Sequence, residues 1–422
     1  MIDIVYAILI FVFLFVYVWS LYNLPILAAG VRNLRKARPK TNRQSRRSKD
    51  LPAFSIIVPV KNEEKVIGRL LEALSKLTYP ADRKEVIVVE DGSTDKTLDI
   101  CTQYAARGGS NIKILRKPLS NGKPSALNHG IMHATGQILA IFDADNVPAR
   151  DVLLNASRYF EDPAVAAVQG RTLSINSEEN MLTKFVSHEE AVWCEAYLRG
   201  KDVLNLFVHL KGSCQFIRRE VLNKFKGFAE DALSEDMEIS ARLAESGYKI
   251  KYASDVRSWQ ESPSGLTQLF RQRTRWYRGT MEVAFRYGRL MARPSRLRFD
   301  AEATLLGPFI LIVSLFNYLS ASCMFLVPSF LSAFWQFVLQ SSALITTGLV
   351  LLCGVALVYS SRPRRLRDVL WLPFVYFYWC LQAFIALYAL LLIVLRKPRR
   401  WVKTDKKGVI ANSRSDLGGL RD

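Results

Sequence analysis

Residues 54–60 read FSIIVPV, a short run of apolar and β-branched residues of the kind that forms a buried strand. Three similar runs follow, EVIVV at 85–89, IKIL at 112–115 and QILAIF at 137–142. Between them, apolar residues recur at helical spacing over Glu64–Leu77, Thr94–Ala106 and Lys123–Ala134. This alternation predicts an α/β fold whose parallel sheet is covered on both faces and binds ligands beyond the C-terminal ends of its strands.

The regular alternation weakens after Asp143. A further strand is predicted over Cys214–Ile217 and an amphipathic helix over Asp236–Ala244. Arginine and aromatic residues then recur at helical spacing over Leu266–Leu290, a pattern typical of a helix in the membrane interface.

Both ends of the chain are apolar enough to enter a membrane. Ile4–Ala29 has no charged residue, and Asp3 stands where a cleaved signal peptide has a basic start, which favours a retained anchor. Three more runs of spanning length are Ala303–Leu326, Leu331–Tyr359 and Val369–Leu395.

The formal charge of +20 is concentrated beside these apolar runs. Nine Lys or Arg and no acid lie between Arg32 and Lys49, four Arg lie within 362–367, and a basic tail starts at Arg396. This placement is typical of cytoplasmic loops at anionic headgroups and argues against a nucleic-acid partner. Three full crossings would leave the tail outside the cell, so we predict that the last run, which contains Pro373, is bent or partly interfacial.

The six cysteines are scattered, without a CxxC pair or a histidine at ligand spacing. The pattern argues against a disulfide framework or a zinc site, and favours small buried residues in a reducing compartment.

Polar motifs follow the predicted strands: PVKNE at 59–63, EDGSTD at 90–95 and NGKPS at 121–125. Each is weak alone, since Ser93 or Thr94 at a strand exit often only caps the next helix. The third opens a helix whose N-terminus and Lys123 suit phosphate oxygens.

Three further motifs carry more specific chemistry. FDADN at 142–146 sets two carboxylates two residues apart at a strand end, which suits Mg²⁺ or Mn²⁺ on a diphosphate, although such triplets are also solvated turns. SED at 234–236 places Asp236 as a base or as a helix cap. QRTRW at 272–276 offers Arg275 for diphosphate charge and Trp276 for a sugar face, or only interfacial anchoring.

This ordered set, over about Phe54 to Trp276, resembles family 2 glycosyltransferases, and most of all the membrane-bound branch with cellulose, chitin, hyaluronan and poly-N-acetylglucosamine synthases. The resemblance implies a GT-A, Rossmann-like nucleotide-sugar-binding domain inserted between transmembrane helices, a UDP-sugar donor, Mg²⁺ or Mn²⁺, and inversion at the anomeric carbon. The roles it implies are donor binding by Pro59, Glu63, Asp91, Lys123, Asp143 and Arg275, metal binding by Asp143 and Asp145, general base catalysis by Asp236, and acceptor binding by Glu235, Gln272 and Trp276.

Two residues depart from the family pattern. Glu90 stands where an aspartate is common, and Lys61 stands where many members have an aromatic residue for the uracil. The membrane part is also short for an enzyme that threads its own polymer. The predicted organisation is an anchor (1–30), a basic cytoplasmic linker (31–52), the GT-A domain (53–262), interface helices (263–300), a C-terminal transmembrane region (301–396) and a basic cytoplasmic tail (397–422).

The function predicted is therefore transfer of glucose or N-acetylglucosamine from a UDP-sugar to an acceptor hydroxyl, extending a β-linked polysaccharide at the cytoplasmic face of the cell membrane. The predicted partners are the donor, a polysaccharide or lipid acceptor and membrane lipids. One alternative is an enzyme that adds a single sugar to a lipid. Another is a catalytically silent membrane scaffold, which the intact DAD, SED and QRTRW motifs argue against.

Overall fold

The computed structural model describes residues 2–34, 51–107, 112–288, 294–315, 333–360, 366–399 and 406–408. Several predictions fall outside these residues. They concern most of the basic linker, the second half of the first C-terminal apolar run, the loop around Arg364 and most of the tail.

Eight strands form one sheet in the order β3-β2-β1-β4-β7-β6-β8-β5. The strands are β1 (Phe54–Val60), β2 (Lys84–Glu90), β3 (Ile112–Arg116), β4 (Ile138–Ile141), β5 (Val147–Pro148), β6 (Val165–Ser174), β7 (Gln215–Arg218) and β8 (Lys249–Gln260). All five strands expected from the sequence are therefore present, and their ends agree with the prediction within one residue.

The sheet is parallel only in part. β1 pairs in parallel with β2 and β4, and β2 pairs in parallel with β3, as predicted. The β7 strand is antiparallel to both β4 and β6, while β6 pairs in parallel with β8. The sheet is therefore mixed, because the chain enters β7 from the opposite end of the sheet.

The described helices include those that cover the two faces of this sheet and others that pack beside them. They are α1 (Ile2–Arg32), α2 (Ile67–Ser75), α3 (Thr97–Ala106), α4 (Lys123–Met132), α5 (Val152–Tyr159), α6 (Met181–Val192), α7 (Arg199–Val203), α8 (Arg219–Lys224), α9 (Glu235–Glu245), α10 (Leu266–Tyr287), α11 (Arg296–Leu305), α12 (Ala333–Ser360) and α13 (Leu372–Val394). A π-helix, Trp193–Leu198, joins α6 to α7, and a helical stretch covers 307–315.

Alternate residues of each central strand enter two different cores. On β1, Ile57 packs with residues of α4 and α9, whereas Ile56 and Val58 pack with residues of α2, α3 and α5. All three side chains are fully buried. Because alternate residues of a strand point to opposite faces of the sheet, helices cover both faces here, which confirms the predicted layers.

Two helices begin later than the periodicity suggests. α2 starts at Ile67 and α3 at Thr97, each three residues after the predicted start. Ser93 and Thr94 do not cap α3, because they bond Asn62 in the neighbouring loop: the Asn62 amide donates to Ser93 Oγ, and the Thr94 amide donates to Asn62 Oδ1. These hydrogen bonds thereby link the loop after β1 to the loop after β2.

Helix α1 packs tightly on the π-helix and on α7. A side chain at Gly30 would collide with the carbonyl of Ala196, and one at Gly200 with the carbonyl of Ile26. Only residues without a Cβ permit these backbones to approach so closely. The apolar N-terminal helix is therefore in direct contact with the segment that follows α6.

Two helices of the described chain are long and apolar enough to cross a membrane, over the windows Phe13–Arg32 and Phe377–Val394. The first belongs to the predicted N-terminal anchor. The second lies in the apolar run that we predicted to be bent or partly interfacial, and that prediction remains open.

Candidate active site

One pocket opens beyond the C-terminal ends of β1, β2 and β4, at the edge of the sheet that the sequence predicted. It is lined by all eleven residues predicted for the site, namely Pro59, Glu63, Asp91, Lys123, Asp143, Asp145, Glu235, Asp236, Gln272, Arg275 and Trp276. Residues more than two hundred positions apart therefore meet in one cavity.

Asp91 lies at one end of this pocket and is almost fully buried. The Ser120 hydroxyl donates to Asp91 Oδ2 (2.5 Å), and Lys117 Nζ lies 3.3 Å from Oδ1. The neighbouring Glu90 turns back to accept from the Ser93 amide, so the unusual glutamate closes its own turn. Asp91 alone of the two acidic residues faces the pocket.

Lys123 lies at the centre of the pocket, at the first position of α4. Its ammonium group is 2.7 Å from Asp143 Oδ1 and 3.1 Å from Glu235 Oε1, and it donates to the carbonyl of Gly212 (3.0 Å). These carboxylates outweigh the effect of burial and raise the pKa of Lys123. The residue stays positive and faces the place where an anionic ligand would lie.

Asp143 and Asp145 differ in their surroundings. Burial and the nearby Asp145 raise the pKa of Asp143 in spite of Lys123. Burial acts in the same direction on Asp145, but Lys406 Nζ, 2.6 Å from its Oδ2, outweighs it and lowers the pKa of Asp145. Lys406 belongs to the C-terminal tail, and the Lys407 amide also donates to Glu261 (3.0 Å).

These two carboxylates fit a hard divalent cation in their donor atoms. No described residue donates a hydrogen bond to Asp143 Oδ2, and the ammonium of Lys406 already holds a positive charge against Asp145. Within the described residues no group of three or more His, Cys, Asp or Glu could hold a metal ion. Two carboxylates alone do not complete the coordination of such a cation, so its remaining ligands would have to come from a bound ligand or water.

Asp236 occupies the second position of α9. Its Oδ1 accepts from the Ser234 hydroxyl (2.7 Å) and the Met237 amide (2.8 Å). No described residue donates to its Oδ2, which lies beside the bare Cα of Gly212. Burial and the adjacent Glu235 raise the pKa of Asp236 to about 6. Since Ser234 is the N-cap residue, Asp236 does not have the cap position that the sequence left open.

The far end of the pocket is formed by α10, which carries Gln272, Arg275 and Trp276. The guanidinium of Arg273 lies over the Trp276 ring, 4.4 Å from its centroid, and pairs with Glu189 (2.6 Å). One face of the indole is thereby covered and its orientation held. Arg275 acts electrostatically on Glu235 and helps to lower the pKa of that residue, after Lys123.

Several pocket residues have no counterpart in the predicted set: Thr172, Glu190, Lys211, Gln260 and Lys406. None belongs to a motif with a characteristic spacing. The basic composition of the tail was visible in the sequence, but only tertiary contacts reveal that Lys406 reaches Asp145.

Comparison with known proteins assigns this sequence to a family. The sequence model described as glycosyltransferase like family 2 matches residues 52–279, which contain the sheet and all of the predicted motifs. The chain belongs to this family. The resemblance inferred from the motifs is thereby confirmed.

Two curated relatives of this chain have informative names. A β-monoglucosyldiacylglycerol synthase of Nostoc sp. is 34% identical over 247 residues, which cover 58% of this chain and 52% of the relative. A poly-β-1,6-N-acetyl-D-glucosamine synthase of Staphylococcus epidermidis is 25% identical over 379 residues, which cover 87% and 88% of the two chains. The chain spans 52% to 66% of the length of the first curated relatives.

Among solved structures, the mannosyltransferase PcManGT of Pyrobaculum calidifontis, in complex with GDP-Man and Mn²⁺, has a TM-score of 0.60. The match covers 93% of this chain and 99% of that one at 22% identity. The likeness concerns the fold, and it confirms the GT-A-like α/β architecture predicted from the sequence.

Proposed function

We propose that this glycosyltransferase is membrane-bound, metal-dependent and inverting, and that it transfers glucose or N-acetylglucosamine from a UDP-sugar to an acceptor hydroxyl, extending a β-linked polysaccharide at the cytoplasmic face of the cell membrane. One observation carries the proposal: Asp236 has a raised pKa and an Oδ2 atom to which no described residue donates, and it shares a pocket with the Lys123, Asp143 and Asp145 cluster.

The donor would lie between the strand exits and α4. Pro59, Glu63 and Asp91 line the end of the pocket suited to the nucleoside, and Lys123 with the N-terminus of α4 faces the diphosphate. Arg275, which also lines the pocket, adds a second positive charge. Lys406 is a third cation within reach, since it already pairs with Asp145.

Asp143 and Asp145 would hold Mg²⁺ or Mn²⁺ together with the donor. When bound, such a cation neutralises negative charge on the departing diphosphate. Asp143 supports this role, because its pKa is raised by burial and by Asp145, and a cation would relieve both effects.

Asp236 would accept the proton of the acceptor hydroxyl. A carboxylate whose pKa is about 6 is largely ionised at neutral pH and is still a better base than an ordinary aspartate. Direct attack of that hydroxyl on the anomeric carbon inverts its configuration. An α-linked UDP-sugar would then give the β-linkage that we propose.

Two acceptors are supported by different relatives. The staphylococcal synthase, named for a β-linked polymer, aligns with nearly the whole chain, which favours a polysaccharide. The Nostoc enzyme, named for a glucosylated diacylglycerol, is more similar per residue but aligns with about half of each chain. Gln272 and Trp276 would contact the acceptor in either case, with the open face of the indole against a sugar ring.

The membrane placement rests on the two apolar helices and on the basic segments beside them. In a cysteine-free background, Ser48→Cys should resist an impermeant thiol reagent in intact cells and react after permeabilisation. Labelling from outside would contradict the cytoplasmic assignment.

The transfer itself is tested with purified membranes and a panel of radiolabelled UDP-sugars, with and without Mn²⁺ or Mg²⁺. We expect metal-dependent UDP release and label in polymeric or lipid-bound product for one glucose-type donor. Absence of UDP release from every donor would overturn the proposal.

A further inference from the structure

A carboxylate–ammonium pair in the pocket wall has no role in the function proposed above. Glu190 and Lys211 form an ion pair, and their side chains remain 23% and 16% exposed in the pocket. The Thr172 hydroxyl donates to Glu190 Oε1 (2.7 Å), and Lys211 Nζ is 3.4 Å from Thr172 Oγ1. These three residues are called the wall triad below.

The wall triad lies beside the proposed base. Lys211 directly precedes Gly212, whose φ of +81° favours glycine. A Cβ on Gly212 would lie 3.2 Å from Asp236 Oδ2 and 3.3 Å from Lys123 Nζ. The Lys211 amide donates to Gln169 Oε1 (2.8 Å), which holds the backbone in place. A hydroxyl bound by Asp236 would therefore lie beside the backbone at Gly212, in the same pocket that the three side chains of the wall triad line.

Glu190 also has an unused acceptor atom. The donors that reach it, from Thr172, Cys194 and Lys211, all converge on Oε1. No described residue donates to Oε2. A carboxylate oxygen at a pocket surface accepts strong, charge-assisted hydrogen bonds from ligand hydroxyls. The π-helix that starts at Trp193 adds support, since such turns in helices are frequent at functional sites.

We propose that the wall triad binds ring hydroxyls of the acceptor next to the hydroxyl that Asp236 deprotonates, so that the acceptor is a carbohydrate end and not diacylglycerol. This inference rests on the proposed transferase function. A sugar ring presents several neighbouring hydroxyls, one for Asp236 and others for Glu190 and Lys211. Diacylglycerol has a single hydroxyl. Its acyl chains would displace water from the charged Glu190–Lys211 pair without offering hydrogen bonds in return, which is unfavourable.

The test compares Glu190→Gln with the parent enzyme in detergent, using the active UDP-sugar. Cellotetraose and chitotetraose serve as carbohydrate acceptors, and dioleoylglycerol in micelles as the lipid acceptor. Hydrolysis of the donor by water is measured on the same preparation, because it needs the donor site but no acceptor. Glu85→Gln is the matched control, since Glu85 pairs with Lys113 (2.7 Å) outside this pocket.

We expect the parent to use a tetrasaccharide in preference to dioleoylglycerol. Glu190→Gln should raise the KM for that tetrasaccharide about ten- to a hundredfold, the range for losing a hydrogen bond to a charged group. The KM for the donor and the rate of donor hydrolysis should stay within about twofold of the parent values. The Glu85→Gln control should match the parent in acceptor KM, donor KM and donor hydrolysis.

Unchanged acceptor KM in Glu190→Gln, or a parent that uses only dioleoylglycerol, would overturn this inference while leaving sugar transfer intact. If Glu190→Gln also loses donor hydrolysis, the same measurements are made on Lys211→Met. The inference requires that at least one of the two variants has a raised acceptor KM together with normal donor hydrolysis. A parent that neither hydrolyses nor transfers any UDP-sugar would overturn the proposed function as well.

Discussion

The pocket contains two pairs of neighbouring carboxylates, one on each side of Lys123. In the donor-side pair the pKa of Asp143 is raised and that of Asp145 is lowered, and in the acceptor-side pair the pKa of Asp236 is raised and that of Glu235 is lowered. The surroundings thus shift the two pKa values within each pair in opposite directions. Such splitting separates the roles of chemically similar groups.

The two carboxylates with a raised pKa, Asp143 and Asp236, nevertheless differ in the groups that face them. Asp143 lies against the ammonium of Lys123 at 2.7 Å, whereas Asp236 has no ion pair with a described residue and accepts from the neutral hydroxyl of Ser234. A group set among charges is suited to hold a cation and a diphosphate. A carboxylate that forms no ion pair with a described residue, and has one oxygen to which no described residue donates, is suited to take a proton.

The largest effect is expected on the donor side. Asp145→Ala should reduce transfer to background and weaken donor binding, because the diphosphate charge loses its compensation. EDTA should have the same effect on the parent, reversed by Mn²⁺ or Mg²⁺. Asp255→Ala removes an aspartate paired with Arg158 outside the pocket and serves as the control, with near-normal transfer. Full activity of the parent in EDTA would contradict the metal assignment.

On the acceptor side, Asp236→Asn keeps the shape of the side chain but cannot accept a proton. Turnover should fall at least about a hundredfold, within the range for loss of a general base. Affinity for UDP, measured on the same preparation, should remain near that of the parent. Turnover within a few-fold of the parent would reduce Asp236 to a structural residue.

A smaller and different change is expected at Trp276, beyond both pairs. Trp276→Ala should shorten the polymer while UDP affinity is nearly kept, because the indole would hold the acceptor and not the nucleotide. Product sizing beside a UDP titration separates the two. Product of normal length together with weakened UDP binding would show that Trp276 contacts the donor and not the acceptor.

The smallest effect concerns the coupling within the acceptor-side pair. Glu235→Gln removes a negative charge beside Asp236, and this charge, after burial, raises the pKa of Asp236. The acidic limb of the pH–rate profile should therefore move to lower pH. The profile measured with saturating metal checks this, and an acidic limb that stays in place or moves to higher pH would contradict the coupling between Glu235 and Asp236.

Much of this arrangement could be predicted from local sequence. Apolar runs such as 54–60 identify the parallel strands, and polar motifs directly after them must meet at one sheet edge. The antiparallel β7 was expected as a strand, but its direction depends on the path of the chain through α6 and α7. Lys406 and Glu190 reach the pocket through contacts distant in sequence, which no spacing reveals.

The pH dependence of kcat/KM for the sugar nucleotide tests the central claim most directly, because it reports ionisations of the free enzyme. Asp236 must be ionised to act as a base, so the parent should lose activity as the pH falls, with a midpoint near the value of about 6 expected for this group. The residual activity of Asp236→Asn should lack this limb. The same limb in Asp236→Asn, or a parent profile that is flat well below pH 6, would contradict the assignment of Asp236 as the base.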